Sequence, residues 1–176
     1  QQISVNSIDS RFAVFERYSE NMQNLRGNWH LCFSHNFSIR KSVLDLLGGF
    51  DDNIFHGWGL EDSEFAYKLH KNKVKIAYNP NILVYHLSHE LSWNSMRGFE
   101  LWNNNLAAFI AKHNDTEVML QSVFRDFFNP EYRQQRIELG DPRPWLTCYS
   151  KFEKALRSLE DTHSTGEQIH IKDISL

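Results

Sequence analysis

Residues 57–64 read Gly-Trp-Gly-Leu-Glu-Asp-Ser-Glu, the stretch of this chain with the most chemistry in it. Glu61 and Asp62 are adjacent carboxylates that open a segment whose apolar residues, Phe65, Ala66 and Leu69, recur at helical spacing. A carboxylate beside an attacking hydroxyl can take its proton as the new bond forms. A neighbouring carboxylate can hold the other hydroxyls of the same molecule. Acids also begin helices simply because the helix dipole favours negative charge there, so the pair alone does not define a site. The glycines add the discriminating information. Gly57 and Gly59 permit backbone angles and close approach that other residues forbid, and the loop around Trp58 cannot pack it as ordinary core. Trp58 in that position is a platform on which a sugar face can lie beside a base.

Three further places hold chemically useful side chains. His86 ends the apolar run Ile82–Tyr85, with His89 and Glu90 close behind. Open α/β sheets bind ligands beyond the carboxyl ends of their strands, and a neutral imidazole suits Mn²⁺ alongside carboxylates. Spacing alone favours a histidine that merely caps a strand. Asn36 begins Asn-Phe-Ser-Ile-Arg, which reads equally as a strand edge leading into a helix cap. Asp51 and Asp52 follow Gly48-Gly49-Phe50 and are expected to complete that turn. Arg133, Arg136 and Arg143 are too dispersed for a phosphate cradle, and no glycine-rich phosphate loop is present.

The elements that must position these residues follow from periodicity and punctuation. Helical spacing of Ile8, Phe12, Phe15, Met22 and Leu25 predicts a helix over 8–26, ended by Gly27-Asn28. Residues 29–40 are expected to include a strand. A short helix over 41–47 should stop at Gly48-Gly49. The helix opening at Glu61 or Asp62 should run to Lys71, with Glu64 and Lys68 as an i,i+4 pair and Asn72 as a left-handed cap. Val74, Ile76 and Tyr78 alternate with Lys73, Lys75 and Ala77 and predict a strand. Ile82–Tyr85 predicts a buried strand. Helices are expected over about 92–112, 116–128 and 147–161, with breaks at Asn129-Pro130 and Asp141-Pro142-Arg143-Pro144. Trp102 and Phe99 should be core residues of the first of these, and a polar tail follows Thr162.

Composition narrows the class. The chain has 176 residues, enough for one domain with a real core. A formal net charge of −3 leaves no basic footprint for nucleic acid. The two cysteines, Cys32 and Cys148, have no metal or redox spacing and point to a reduced compartment rather than a disulfide. No run is long enough for a transmembrane helix, and no signal peptide is recognisable. The start at Gln1-Gln2 suggests a piece of a longer or processed protein.

The Gly-Trp-Gly-x-Glu-Asp string resembles an element in the C-terminal half of GT-A glycosyltransferases, of which the β-1,4-galactosyltransferases and the chondroitin-polymerase type of bacterial transferase are the nearest families. Asn36–Arg40, Gly48–Asp51 and Val84-Tyr85-His86 look like neighbouring family segments. The resemblance implies an α/β fold, a partial GT-A (nucleotide-diphospho-sugar transferase) fold lacking its N-terminal nucleotide-binding half. Residues 1–90 would be the acceptor and catalytic part, and residues 91–176 a helical C-terminal region. It implies inverting transfer of a hexose or N-acetylhexosamine from a UDP-sugar donor to a carbohydrate acceptor. Asp62 would be the catalytic base. Glu61, Trp58, Gly57 and Gly59 would bind the acceptor, and Asn36 and Trp58 the donor. His86, with His89 as second choice, would bind Mn²⁺ or another divalent cation. The implied setting is cytoplasmic or peripheral to a membrane in a bacterium, or the Golgi lumen in a eukaryote.

The chain departs from that pattern in ways that matter. No Asp-x-Asp element precedes Asn36, so the missing N-terminal half of the same fold becomes an expected partner. Ser63 stands where the galactosyltransferases have a third acid. Leu60 replaces a glycine and Lys68 an arginine. The alternative reading is a non-catalytic carbohydrate-binding or regulatory fragment derived from such an enzyme. A glycoside hydrolase fits poorly, because its two acids must flank the scissile bond.

Overall fold

The computed structural model describes residues 11–12, 14–15, 27–85, 95–140 and 144–165. Asn28–Leu31 and Ser34–Asn36 form two 3-10 turns, followed by helices α1 (Lys41–Leu47), α2 (Glu61–Lys71) and α3 (Met96–His113). Then come α4 (Thr116–Met119), a 3-10 turn at Leu120–Phe124, α5 (Arg125–Phe128), α6 (Pro130–Glu138) and α7 (Pro144–Thr165). Among the described residues no helix is long and apolar enough to cross a membrane.

The expectation of an α/β, partial GT-A fold is overturned, because the described residues contain helices and no strand or sheet. Three segments carried that expectation. Residues 29–40 form the two 3-10 turns instead, and their aromatic richness feeds a helical core. Trp29 is fully buried. Its ring meets Tyr67, Phe109 and Phe152 edge-on at centroid distances of 5.2, 6.4 and 6.1 Å, and its indole N–H donates to Glu117 at 2.6 Å. Residues 74–78 keep their alternation, with Val74, Ile76 and Tyr78 half-buried and Lys75 and Ala77 exposed. A period of two is satisfied by burying one side of the segment, whereas a ladder needs a second backbone. Here Ile76 and Tyr78 lie on the core, Tyr78 stacking on Phe15 at 4.2 Å. Ile82–Tyr85, expected to be a buried strand, is exposed.

The helices follow their punctuation more closely. Gly48 takes the left-handed position after α1. Ser95 caps α3 by accepting from the Gly98 amide at 3.1 Å. Asn129 caps α6 through the amides of Glu131 and Tyr132, with Pro130 in the first turn. Asn72 is not left-handed; Lys73 takes that conformation instead, at φ 58°. The stretch expected as one helix over 116–128 is broken by its 3-10 turn, and α6 was not anticipated. Most of the expected helix over 8–26 lies outside the described residues. Cys32 and Cys148 are free thiols.

One core joins residues on both sides of position 90. Trp29, Leu31, Phe55, Leu60 and Tyr67 pack with Trp102, Leu106, Phe109, Phe124 and Phe152. Burying each such side chain contributes about 1.5–3 kcal/mol. α2 and α3 are also joined by charge. The Glu64 carboxylate is fully buried. Its Oε1 accepts from Lys112 Nζ at 2.8 Å and lies 2.9 Å from His113 Nε2, while Oε2 is 3.4 Å from Lys68 Nζ. The expected Glu64–Lys68 pair is therefore present, but the Lys68 ammonium spends its short hydrogen bond, 2.6 Å, on the Gly49 carbonyl.

A second polar pair sits deeper in the core. His30 is buried against Phe124, Tyr149 and Phe152, and its Nδ1 lies 2.6 Å from the Gln121 amide nitrogen. Burial pushes its pKa down to about 3, so the folded protein keeps it neutral while the unfolded chain protonates near 6.5. Folding stability from this group is complete above pH 6.5 and is lost as pH falls from there toward 3. Between pH 7 and pH 4 the loss should be about 3 kcal/mol. Urea unfolding at both pH values checks this: a His30→Phe variant should lose correspondingly less, and parallel losses in the two proteins would refute the assignment.

Candidate functional site

The loop between α1 and α2 is anchored before it reaches the carboxylates. Lys68 holds the Gly49 carbonyl. Asp51 accepts from the Asn53 amide at 3.0 Å, which closes the turn as expected, and also receives Lys112 Nζ at 2.8 Å. The hydrogen bond from Lys112 holds the Asp51 carboxyl below the usual range. One lysine of α3 therefore bridges the loop to Glu64 of α2.

The Gly-Trp-Gly string needs its glycines for two separate reasons. Gly57 and Gly59 have φ of 78° and 102°, in the left-handed region. A Cβ at Gly59 would come within 2.9 Å of the Trp102 indole, and one at Gly57 within 3.0 Å of Leu101. The loop thus lies directly on α3. Trp58 is half-buried, with its ring edge-on to Phe128 at 5.5 Å, and Phe128 in turn stacks on Trp102 at 4.7 Å. The packing of Trp58 thus comes partly from α5, beyond the motif.

The two candidate acids begin α2 and occupy different environments. Burial raises the Glu61 pKa; the amides of Glu61 and Gly59 pull it back, and the Asp62 charge adds to the rise. Glu61 Oε2 is covered and has no hydrogen-bond partner among the described residues. Asp62 accepts from its neighbour Ser63 N at 2.8 Å and from Ser34 N at 3.3 Å. Ser34 belongs to the second 3-10 turn, so residues 34–36 flank the carboxylates. Asp62 also helps burial raise the Cys32 thiol to about 11, which keeps that thiol protonated at neutral pH.

On the same side, Asn36 donates through Nδ2 to the Ile82 carbonyl at 3.3 Å. This bond brings the proposed donor residue against the segment that leads to His86. His86 and His89 themselves lie outside the described residues. Among the described residues no group of three His, Cys, Asp or Glu side chains has metal-holding geometry.

Several residues that organise the site were not foreseen. Lys112, His113 and Phe128 lie in stretches read only as helix. Asn105 carried a readable signal: it falls on the same helix face as Trp102, Leu106 and Phe109, so an amide stands in an apolar stripe. Such a polar residue is buried only if it is hydrogen-bonded, and its partners prove to be the loop.

Leu60, noted as a departure from glycine, has φ 74° and is only 5% exposed. Left-handed geometry costs a non-glycine residue roughly 1–2 kcal/mol, yet this leucine side chain is part of the core. Truncation should show both effects. Leu60→Gly should be more stable than Leu60→Ala by about 1 kcal/mol, although both lose packing relative to leucine. Thermal unfolding of the two variants measures the difference, and the reverse order would contradict the backbone assignment.

Residues 17–90 match the family model described as the N-terminal domain of galactosyltransferase. No curated protein and no solved structure matches the chain. α3 to α7 lie outside the matched residues. The match spans Asn36, Trp58, Glu61, Asp62, His86 and His89, and it supports a galactosyltransferase-like family and a glycosyltransferase-like function for this part of the chain.

Proposed function

We propose that this chain provides the acceptor-side catalytic surface of an inverting glycosyltransferase, which moves a hexose or N-acetylhexosamine from a UDP-sugar to a carbohydrate hydroxyl. The observation that carries the reading is the contrast between Glu61 and Asp62 at the start of α2. Glu61 has a raised pKa and a carboxylate oxygen that no donor among the described residues satisfies. Glu61 is only half-buried, and a sugar acceptor that approaches its carboxylate supplies a hydroxyl donor. Asp62 stands beside it with one backbone amide on each oxygen. Those amides steady the carboxylate and leave lone pairs for a proton.

In the proposed reaction the acceptor oxygen attacks the anomeric carbon while the bond to the diphosphate oxygen breaks. The acceptor proton passes to Asp62, and UDP leaves with the electron pair. Trp58 carries the sugar faces, and Asn36 contributes to the donor side. Holding the acceptor on Glu61 and Trp58 turns an encounter between two molecules into a positioned one, which is where much of the rate arises. A divalent cation, with His86 and His89 as its proposed ligands, would neutralise charge on the departing diphosphate.

Two substitutions test these roles in the full-length polypeptide that carries this sequence. Asp62→Asn should reduce transfer, read as UDP release in the presence of acceptor, by roughly 100-fold or more, while acceptor binding persists. Unchanged transfer would remove Asp62 as the base. Acceptor binding with no transfer by the unsubstituted protein would instead favour a carbohydrate-binding module.

Glu61→Gln separates function from stability. Because the folded-state pKa of Glu61 is raised, its ionisation works against folding above that pKa, and the penalty disappears below the unfolded value. The variant should therefore melt at higher temperature than wild type at neutral pH, with the advantage vanishing in acid, and should bind acceptor more weakly. Unaltered acceptor affinity in this variant would overturn the acceptor role of Glu61.

A further inference from the structure

We infer that Asn105, in the middle of α3 and outside the residues that match the galactosyltransferase family model, is the positioning residue of the Trp58 loop. The inference rests on the reading of that loop as the acceptor surface, and it deepens it. Asn105 is only 2% exposed. Its Oδ1 accepts from the His56 amide at 3.1 Å, and its Nδ2 donates to the carbonyls of Gly59 at 2.8 Å and Trp58 at 3.3 Å. One carboxamide thus serves three backbone groups within four consecutive residues.

The loop needs such a partner. Gly57, Gly59 and Leu60 all have positive φ, and a chain with that sequence of conformations cannot form a helix or ladder of its own. Its buried backbone groups must find partners elsewhere. α3 meets the need with three successive contacts: Leu101 against Gly57, Trp102 against Gly59, and Asn105 on the carbonyls between and after them. Only an amide has the required inventory, one acceptor and two donor hydrogens on a short stem. Aspartate is acceptor-only and would set an oxygen against two carbonyls. Alanine would leave all three backbone groups without this partner.

The placement separates two functions that share the start of α2. Glu64, Lys112 and His113 fix α2, and with it Asp62, to α3. Asn105 fixes the preceding loop, and with it Trp58. Loosening Asn105 should therefore disturb acceptor presentation more than proton removal, because loss of uniform binding raises KM while kcat is largely kept.

The test uses Asn105→Ala in the full-length polypeptide, with Leu101→Ala as a control that thins the apolar contact and keeps the carboxamide. Amide exchange at His56 reads the clamp directly and requires no turnover. It should be at least tenfold faster in Asn105→Ala than in Leu101→Ala. With UDP-galactose and the best acceptor from a panel of methyl glycosides of hexoses and N-acetylhexosamines, acceptor KM should rise at least tenfold. Hydrolysis of UDP-galactose without acceptor, which needs only the donor side of Trp58, should fall by less than acceptor kcat/KM does, a split that general damage to the fold would not give.

Unchanged exchange at His56 overturns the clamp whatever the enzyme does. Faster exchange with unaltered acceptor KM overturns its role in acceptor presentation. Absence of any transfer by the unsubstituted protein refutes the proposed function, and the exchange result then decides the clamp alone. If Asn105→Ala does not fold, the measurement passes to the unsubstituted protein, where saturating acceptor should slow exchange at His56 through the tightened loop. No slowing on acceptor binding would overturn the proposal.

Discussion

The fully buried carboxylate of Glu64 is the constraint on which the rest of this arrangement depends. An ionised group without water needs partners in good geometry, and removing one member of such a set typically costs about 3–5 kcal/mol. Glu64 finds Lys112 and His113 on α3 and Lys68 one turn along its own helix. Two of these partners have a second obligation: Lys112 reaches Asp51 and Lys68 reaches the Gly49 carbonyl. The carboxylate therefore fixes the rotation of α2 relative to α3, and also the path of the glycine loop that arrives at α2. The same rotation places Glu61 and Asp62, both half-buried, in the first turn of α2. A buried ion pair is seldom the cheapest way to stabilise a core, since apolar residues of equal volume often do as well. What it adds here is a defined register among three segments, which apolar packing alone specifies less sharply.

Three acids share the first turn of α2, and their surroundings give them three different characters. The helix dipole favours all of them equally, so it explains their presence and not their differences. Glu64 is neutralised by cations. Asp62 is steadied by two amides. Glu61 is the partly buried one whose second oxygen lacks a donor. Raised carboxyl pKa values produced by burial beside a second acid are the pattern of sites that bind or transfer protons, although ordinary ion networks can produce them too. In α2 the ion network is assigned to Glu64, and the perturbation at Glu61 comes from its burial and from the Asp62 charge beside it.

What the sequence made legible was local. Helix α1 ends at Gly48 because a left-handed residue is needed there, and the break at Asn129-Pro130 falls where α5 ends and α6 begins, although α6 itself was not expected. The paired acids and the glycine-flanked tryptophan were likewise readable, because their residue types have few other uses in that order. The failures were non-local. Val74, Ile76 and Tyr78 alternate as a strand would, but alternation reports only that one side is buried, and a helical core covers it as well as a sheet does. The aromatics of residues 29–33 suggested a strand for the same reason, and Trp29 became the hub of a helical core. Lys112 was invisible as a site residue, and Asn105 showed only that it must be buried and bonded, because their partners lie 46–61 positions away.

The platform and the acids are held by different means, and this has a mechanistic consequence. Trp58 depends on a loop of left-handed residues pinned by one amide and edged by Phe128. Asp62 depends on the helix terminus and on the amide of Ser34. Binding of a sugar on Trp58 would therefore adjust the loop with little movement of the proposed base, since the Trp58 and Gly59 carbonyls are held by Asn105 and the Asp62 carboxylate by the amides of Ser34 and Ser63. Precision matters most at the carboxylate, where a displacement of about 1 Å can cost about 100-fold in rate. A stacked sugar face tolerates more. In the proposed reaction the charge-fixed segment would carry the group with the narrow geometric tolerance, and the glycine-rich segment the group that fits the ligand. α3 supports both through Lys112 and Asn105, seven residues apart on one helix, two turns along its axis.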